Sequence, residues 1–286
     1  MVYPARVEIR NLVEIRGGSD IGVFPILNQK PVVAGFSWGN NARNMVEPHN
    51  TCANTNEFLK ELGTSIPPRV VLKSVEYNDE KVLVVTKNNY DVLACRANHY
   101  GIQTGADVLV TDIPNLTLLV KPADCTVAVL YGSTSDGKDV LGVAHAGWRE
   151  TMAGVPATIV QQMAEMGCDP DTMSIAIAPS IMMKNFWVRP QDLSDDQRKK
   201  WKARAKDDIV ERDGEVVMLD VLGRVIDIML GEGVNPSNVM AYAVDTFTAA
   251  QDRVAFSHRL STVTGDKSYD GRFAVAAALR GKCISN

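Results

Sequence analysis

The sequence predicts a mixed α/β domain, and three observations carry that prediction. Short runs rich in Val, Ile and Leu, bracketed by turn residues, recur along the whole chain. Segments with apolar residues at helical spacing fall between them. No repeat, low-complexity block or long Pro/Gly/Ser linker divides the 286 residues, so 1–286 is read as a single domain.

Taken in order, VEIRNLVEI opens the chain as one strand or two short ones, and PVVAGFSWG is a strand running into a glycine turn. Asn54 to Gly63 has Phe58, Leu59 and Leu62 at helical spacing between a capping-type Asn and a Gly, which predicts a helix. RVVLKSVEY and KVLVVTK flank a polar turn and predict a hairpin. ADVLVTD and LTLLVK are the next strands. VAVLYG and VLGVAH then predict a second hairpin around STSDGKD. Thr151 to Gly167 aligns Met152, Val155, Ile159, Met163 and Met166 on one face and predicts a helix. TMSIAIAPSI is a strand broken at Pro179, and charged Gln191 to Asp213 predicts a solvated helix. Leu219 to Gly231 predicts an amphipathic helix and NVMAYAV a strand. RVAFSHRL to GRFAVAAAL reads as strand, loop and final strand.

Composition bounds the function. The chain is 45% hydrophobic and 22% charged, ordinary for a globular protein, and its formal charge of -4 gives no electrostatic case for nucleic acid or an anionic membrane. No run approaches the roughly 18 apolar residues of a spanning helix, and MVYPARVEIRNLVEIRGG lacks a signal-peptide core, so a cytoplasmic location is expected. Five scattered cysteines without a CxxC pair argue against a disulfide framework or a zinc finger. GxGxxG, Walker, HExxH and G-x-S-x-G motifs are absent.

Chemistry concentrates between Ala106 and Gly154, in ADVLVTDIPNLTLLVKPADC and GVAHAGWRETMAGV. Cys125 and His145 fall at the ends of two adjacent buried strands. A thiolate beside an imidazole suits either metal ligation or nucleophilic catalysis. Taken singly, Cys125 is also consistent with a core cysteine and His145 with a structural one. Gly147 and Gly154 around the following turn permit close backbone approach.

ADVLVTD, PADC and HAGWRET resemble the ADALVT, TADC and HAGWRGT pattern of the YfiH-like family, also called the multicopper polyphenol oxidase or laccase-domain family. GFSWG, NEFLKELG, IAPSI, LDVLGRVIDIMLGEGV, AFSHRL and DGRFA match its outer segments in the right order. The resemblance implies a layered α/β/β/α sandwich with mixed sheets, a His/Cys/His zinc site, and phosphorolysis of adenosine, inosine or methylthioadenosine or deamination of adenosine. It therefore implies a small-molecule partner, a nucleoside with phosphate. Carried over, Cys125 is the cysteine ligand and His145 the second histidine, with Asp124 orienting a ligand from behind. The first histidine's place, in LKSVEYND, is held by Glu76. Glu76 can serve as a carboxylate ligand, as a general base, or as an exposed strand-end carboxylate in a site without metal. His99 and His49 are peripheral candidates. Arg149, His258, Arg259 and Arg272 match polar positions that suit phosphate or ribose, since Arg offers forked donors.

The chain departs from the pattern elsewhere. Gly39 replaces the opening Arg, with Arg43 nearby. Glu150 replaces the glycine after GWR, Met182 a second glycine, and Asp245 a late cysteine. Three functions stay open. The first is a zinc enzyme with Glu76, Cys125 and His145 as ligands, copper being an alternative by relative affinity. The second is a Cys–His deamidase, as in related toxins, with Cys125 as nucleophile. The third is a non-catalytic binding module on the same fold.

Overall fold

The structure is a computed structural model and describes residues 3–17, 19–39, 43–46, 52–64, 69–72, 82–98, 101–202, 209–212 and 216–281. Chain order runs β1 (Glu8–Arg10), β2 (Ile21–Val23), β3 (Val32–Ser37), α1 (Ala53–Leu62), β4 (Arg69–Leu72), β5 (Val82–Val85), α2 (Tyr90–Ala94) and β6 (Ile102–Thr104). Next come β7 (Val108–Thr111), β8 (Thr117–Val120), β9 (Thr126–Ser133), β10 (Asp139–Ala146), α3 (Trp148–Met152), α4 (Val155–Glu165) and β11 (Ser174–Ile177). The last third holds β12 (Trp187–Val188), α5 (Asp195–Lys202), β13 (Ile209–Arg212), β14 (Val216–Leu219), α6 (Val221–Gly231), β15 (Val239–Tyr242), α7 (Thr246–Gln251), α8 (His258–Thr264) and β16 (Val275–Leu279).

These elements stack as α/β/β/α. A seven-stranded mixed sheet, β1-β15-β11-β9-β10-β7-β5, faces a six-stranded one, β2-β3-β16-β8-β4-β6, and β12-β14-β13 form a small third sheet. Strand alternation sorts the core into layers. Along β9, Ala128 and Leu130 pack with Ile159 and Met163 of α4 and Val225 and Met229 of α6. Val127 and Val129 turn the other way and meet Leu118, Val120, Val275 and Phe36 of the second sheet. On the far side, Phe58, Leu59 and Leu62 of α1 cover Leu119 and Ala276. Each of those α1 side chains is almost fully buried, worth about 1.5–3 kcal/mol apiece. Gly63 closes α1 in the left-handed region at φ 85°, as its sequence position predicts. α4 lies so close to the sheet that a Cβ on Gly142 would stand 2.8 Å from Met163 Sδ.

Four expectations need correction. The hairpin predicted from RVVLKSVEY and KVLVVTK does not form: β4 runs parallel to β8 in one sheet, and β5 runs parallel to β7 in the other. The alternation reports that each run is a strand, but partners buried in opposite sheets outbid the neighbour in sequence. The helix predicted over Thr151 to Gly167 divides at Gly154, whose φ of +91° ends α3 and starts α4. Among the described residues of Gln191 to Asp213, Asp195–Lys202 is the α-helix and Ile209–Arg212 is strand β13, and Trp201 is buried, so the helix is not wholly solvated. RVAFSHRL is not a strand, because Ser257 accepts from Leu260 N and starts α8. Among the described residues, no helix is long and apolar enough to cross a membrane.

Candidate metal-binding active site

Three neighbouring strand ends build the site. The β9–β10 register pairs Thr126 with Ala146 and Val127 with His145, which puts Cys125 and His145 at one edge of the seven-stranded sheet, as their sequence positions predict. β7 flanks β10 on the other side, with Val108 opposite Ala144. One step further, His145 N donates to Asp107 O at 2.9 Å, so this ladder carries Asp107 to the same edge. Asp107 Oδ1 then lies 3.2 Å from His145 Nδ1. The chain leaves β10 through Gly147, the N-cap of α3. Glycine is needed there: a Cβ would stand 3.1 Å from Cys125 Sγ and would strike Glu150 Oε2. Thr151 fixes α3 to the strand end, donating from Oγ1 to Ala146 O at 3.3 Å and from N to Gly147 O at 2.8 Å. Glu150 is thereby turned back over the Cys125–His145 pair.

The imidazole is only 17% exposed. Burial opposes its charged form, but Cys125, Asp107 and Glu150 together outweigh that cost and push the His145 pKa up to about 10. Cys125 also hydrogen-bonds the ring. Asp107, His145 and Glu150 each offer a ligand atom within 4.8 Å of the other two, the one such group among the described residues. Cys125 Sγ lies outside that group of three, at the Gly147 side. Imidazole nitrogen, thiolate sulfur and carboxylate oxygen are the donor types of zinc sites, and Asp107 on Nδ1 is the kind of contact that orients a metal-binding imidazole.

The remaining candidates lie around this cluster without joining it. Asp124 turns away from its neighbour Cys125: its Oδ2 accepts from Arg259 N at 2.8 Å and its Oδ1 from Thr246 Oγ1 at 2.8 Å. Burial pushes the Asp124 carboxyl up, against those hydrogen bonds. The orienting contact on His145 comes from Asp107, while Asp124 secures the starts of α7 and α8. Arg259 lays its guanidinium 4.7 Å from the Trp187 ring centre and 5.1 Å from Phe186, and burial lowers its pKa. His258 and Arg272 both face Asp270, each at 3.3 Å. Burial raises the Asp270 carboxyl, but these two partners prevail and hold it below the ordinary range. Arg149 is exposed and stacks 4.2 Å over Trp148. Asp245 caps α7 and accepts from Met182 N at 3.1 Å and Thr248 Oγ1 at 3.0 Å. Glu76, His49 and His99 lie outside the described residues.

Sequence reasoning missed two of the clustered residues. Asp107 had a weak signal, since it lies at the start of ADVLVTD, a run read as a strand, but no local pattern set that strand beside His145. Glu150 had only its proximity to GWR, and read as a bulky anion in a glycine's place.

Known proteins share this architecture. The structure is similar to YfiH of Bacillus licheniformis, with a TM-score of 0.72 at 20% identity, covering 92% of this chain and 98% of that one. It is also similar to YlmD of Geobacillus stearothermophilus, with a TM-score of 0.70 at 21% identity, covering 95% and 100%. In sequence, 84 residues are 34% identical to an adenosine deaminase of an unknown prokaryotic organism, covering 29% of this chain and 31% of that protein. A stretch of 129 residues is 29% identical to a purine nucleoside phosphorylase of Deinococcus radiodurans, covering 45% and 47%. These alignments span less than half of either relative's length. The model of the multi-copper polyphenol oxidoreductase laccase family matches residues 32–280, and the chain belongs to that family.

Proposed function

We propose that this protein is a metal-dependent enzyme acting on purine nucleosides, by phosphorolysis of adenosine, inosine or methylthioadenosine, by deamination of adenosine, or by both. The observation that supports it most is the convergence of Cys125, His145, Asp107 and Glu150 at one sheet edge, in a chain whose relatives carry those activities by name. The donor set suits one zinc-type cation. It does not suit a multi-copper centre, which needs many imidazoles: the chain has four histidines, and of the two described, His258 is turned to Asp270. When bound, a zinc-type cation supplies Lewis-acid polarisation of a reacting oxygen.

In this reading Cys125 and His145 hold the cation with a carboxylate as the third ligand, Glu76 being the candidate given by the family pattern. Asp107 fixes the ring through Nδ1. Arg259 binds the phosphate co-substrate, since its desolvated guanidinium faces aromatic rings while Arg272 and His258 are already matched by Asp270. The site serves small molecules in this reading, with the protein in the cytoplasm.

The test is direct. Zinc-loaded protein incubated with each nucleoside and inorganic phosphate should release free base and ribose 1-phosphate, or convert adenosine to inosine. Absence of turnover across the panel in fully loaded protein rejects the reading.

One observation favours a second reading. Cys125, His145 and Asp107 lie in the order nucleophile, base and orienting carboxylate. A Cys–His hydrolase or deamidase would be alkylated by iodoacetamide at Cys125 in the metal-free state, with protection by substrate and not by zinc alone.

A further inference from the structure

The family pattern has glycine after GWR, and this chain has Glu150. The substitution is not a passive surface change. Glu150 is half-buried, and its Oε2 stands over Gly147 on the side where Cys125 Sγ approaches. One of its oxygens is also within 4.8 Å of ligand atoms on both His145 and Asp107. Two carboxylates and a thiol thus surround one imidazole. Among the described residues no Lys or Arg forms an ion pair with Glu150 or Asp107, whose one ion pair is with His145. Carboxylates brought together without cations are costly unless one arrives.

We propose that Glu150 is a metal ligand in this chain, joining His145 and Cys125 around one divalent cation while Asp107 holds the imidazole through Nδ1. The proposal rests on the metal-dependent reading above and supplies its third ligand from α3. Backbone geometry favours the assignment. α3 is a single short turn ended by Gly154, and buried Thr151 ties it to Ala146, so Glu150 is held over the site by its neighbour. One carboxylate oxygen, one imidazole nitrogen and one thiolate leave a fourth position open, the pattern of catalytic zinc sites.

A competing explanation is local. Glu150 is the third residue of α3, where Glu or Gln reaches back to cap the helix start. Glu150→Gln keeps that capping capacity and removes the ligand charge, so it separates the two roles.

The experiment titrates metal-free protein with Zn²⁺ against a chromophoric chelator, and separately with Co²⁺ to record the ligand-field bands and the thiolate charge-transfer band. Wild type should take up one Zn²⁺ per chain. Glu150→Gln should weaken zinc by more than the roughly 100-fold upper range for loss of an outer-sphere partner, and should alter the Co²⁺ ligand-field bands. Asp107→Asn should cost about 10–100-fold with those bands retained. Glu150→Gly provides the same loss of ligand if Gln disturbs the fold, as checked by melting the metal-free proteins. Zinc affinity of Glu150→Gln and Glu150→Gly within a few-fold of wild type, with unchanged Co²⁺ spectra, overturns the proposal. So does loss of the metal in Glu76→Gln alone. Zinc held through Glu150 with no nucleoside turnover rejects the nucleoside reading and leaves the ligand assignment standing. Turnover with zinc indifferent to Glu150 does the reverse.

Discussion

Cys125 and Asp124 are neighbours in sequence, yet they enter polar clusters of opposite character. Around Cys125, two carboxylates and a thiol surround a single imidazole, with no Lys or Arg ion-paired to the carboxylates among the described residues. Around Asp124, every carboxylate is engaged: Asp124 by Arg259 N and Thr246, and Asp270 by His258 and Arg272. What is left over there is a cation, the Arg259 guanidinium stacked on Phe186 and Trp187. The first cluster holds carboxylates without a Lys or Arg partner, and the second holds a guanidinium with no side-chain ion pair among the described residues. In the proposed reading, the metal would meet the first cluster and the phosphate co-substrate the second.

The comparison can be broken most sharply at the first cluster. His145→Ala and Cys125→Ala should each abolish stoichiometric zinc, a loss beyond about 100-fold, because in the proposed reading each removes a direct ligand and not an outer partner. Elemental analysis and zinc titration check this. Retention of tight zinc by both variants would dissolve the contrast.

The second cluster should respond in stability. Asp124→Ala leaves Arg259 N and the Thr246 hydroxyl without their acceptor and should cost about 1–3 kcal/mol in urea unfolding, with Asp124→Asn costing less. A metal titration unchanged in Asp124→Asn would sharpen the division between the two neighbours.

Arg259→Gln should weaken phosphate binding by about 10-fold, or about 1.4 kcal/mol, seen as a rise in the KM for phosphate. Arg272→Gln should do less, its charge being shared with Asp270. Equal effects would show that Arg259 and Arg272 act as one patch.

The smallest effect lies in acid. Asp270 is held below the ordinary carboxylate range, so its folded pKa is lower than its unfolded one. Its contribution is present above the unfolded value, near 3.9, and is lost as pH falls through the folded value. The side chain is 30% exposed, so Asp270→Asn should cost no more than about 1 kcal/mol at pH 7 and less below pH 4. Unfolding measured at both pH values checks the sign.

The legibility of the site in the sequence follows from how far each contact reaches. Cys125 and His145 could be paired on paper because a hairpin joins their strands through a short polar turn, and local alternation fixes such a register. α1 was equally legible, since its Phe58, Leu59 and Leu62 stripe and Gly63 stop are local signals. β4 and β5 were not, because their partners β8 and β7 lie across two sheets and no local pattern encodes that choice. Glu150 was visible as a departure, but its direction depends on Gly147, Thr151 and the Gly154 break acting together. Asp124 shows the converse. Its place beside Cys125 implied a share in the site, whereas the bend before β9 turns Asp124 to the starts of α7 and α8.

The pairing of Val127 with His145 carries a consequence for how the fold is proofread. A slip of β10 by one residue would send His145 to the opposite face and present Ala144 or Ala146 to Cys125. The core would resist the same slip, since Leu141 or Val143 would take the place of Gly142, where α4 leaves no room for a Cβ. In the proposed metal-dependent reading the slip would also part the ligands, which makes cation uptake a chemical readout of sheet register.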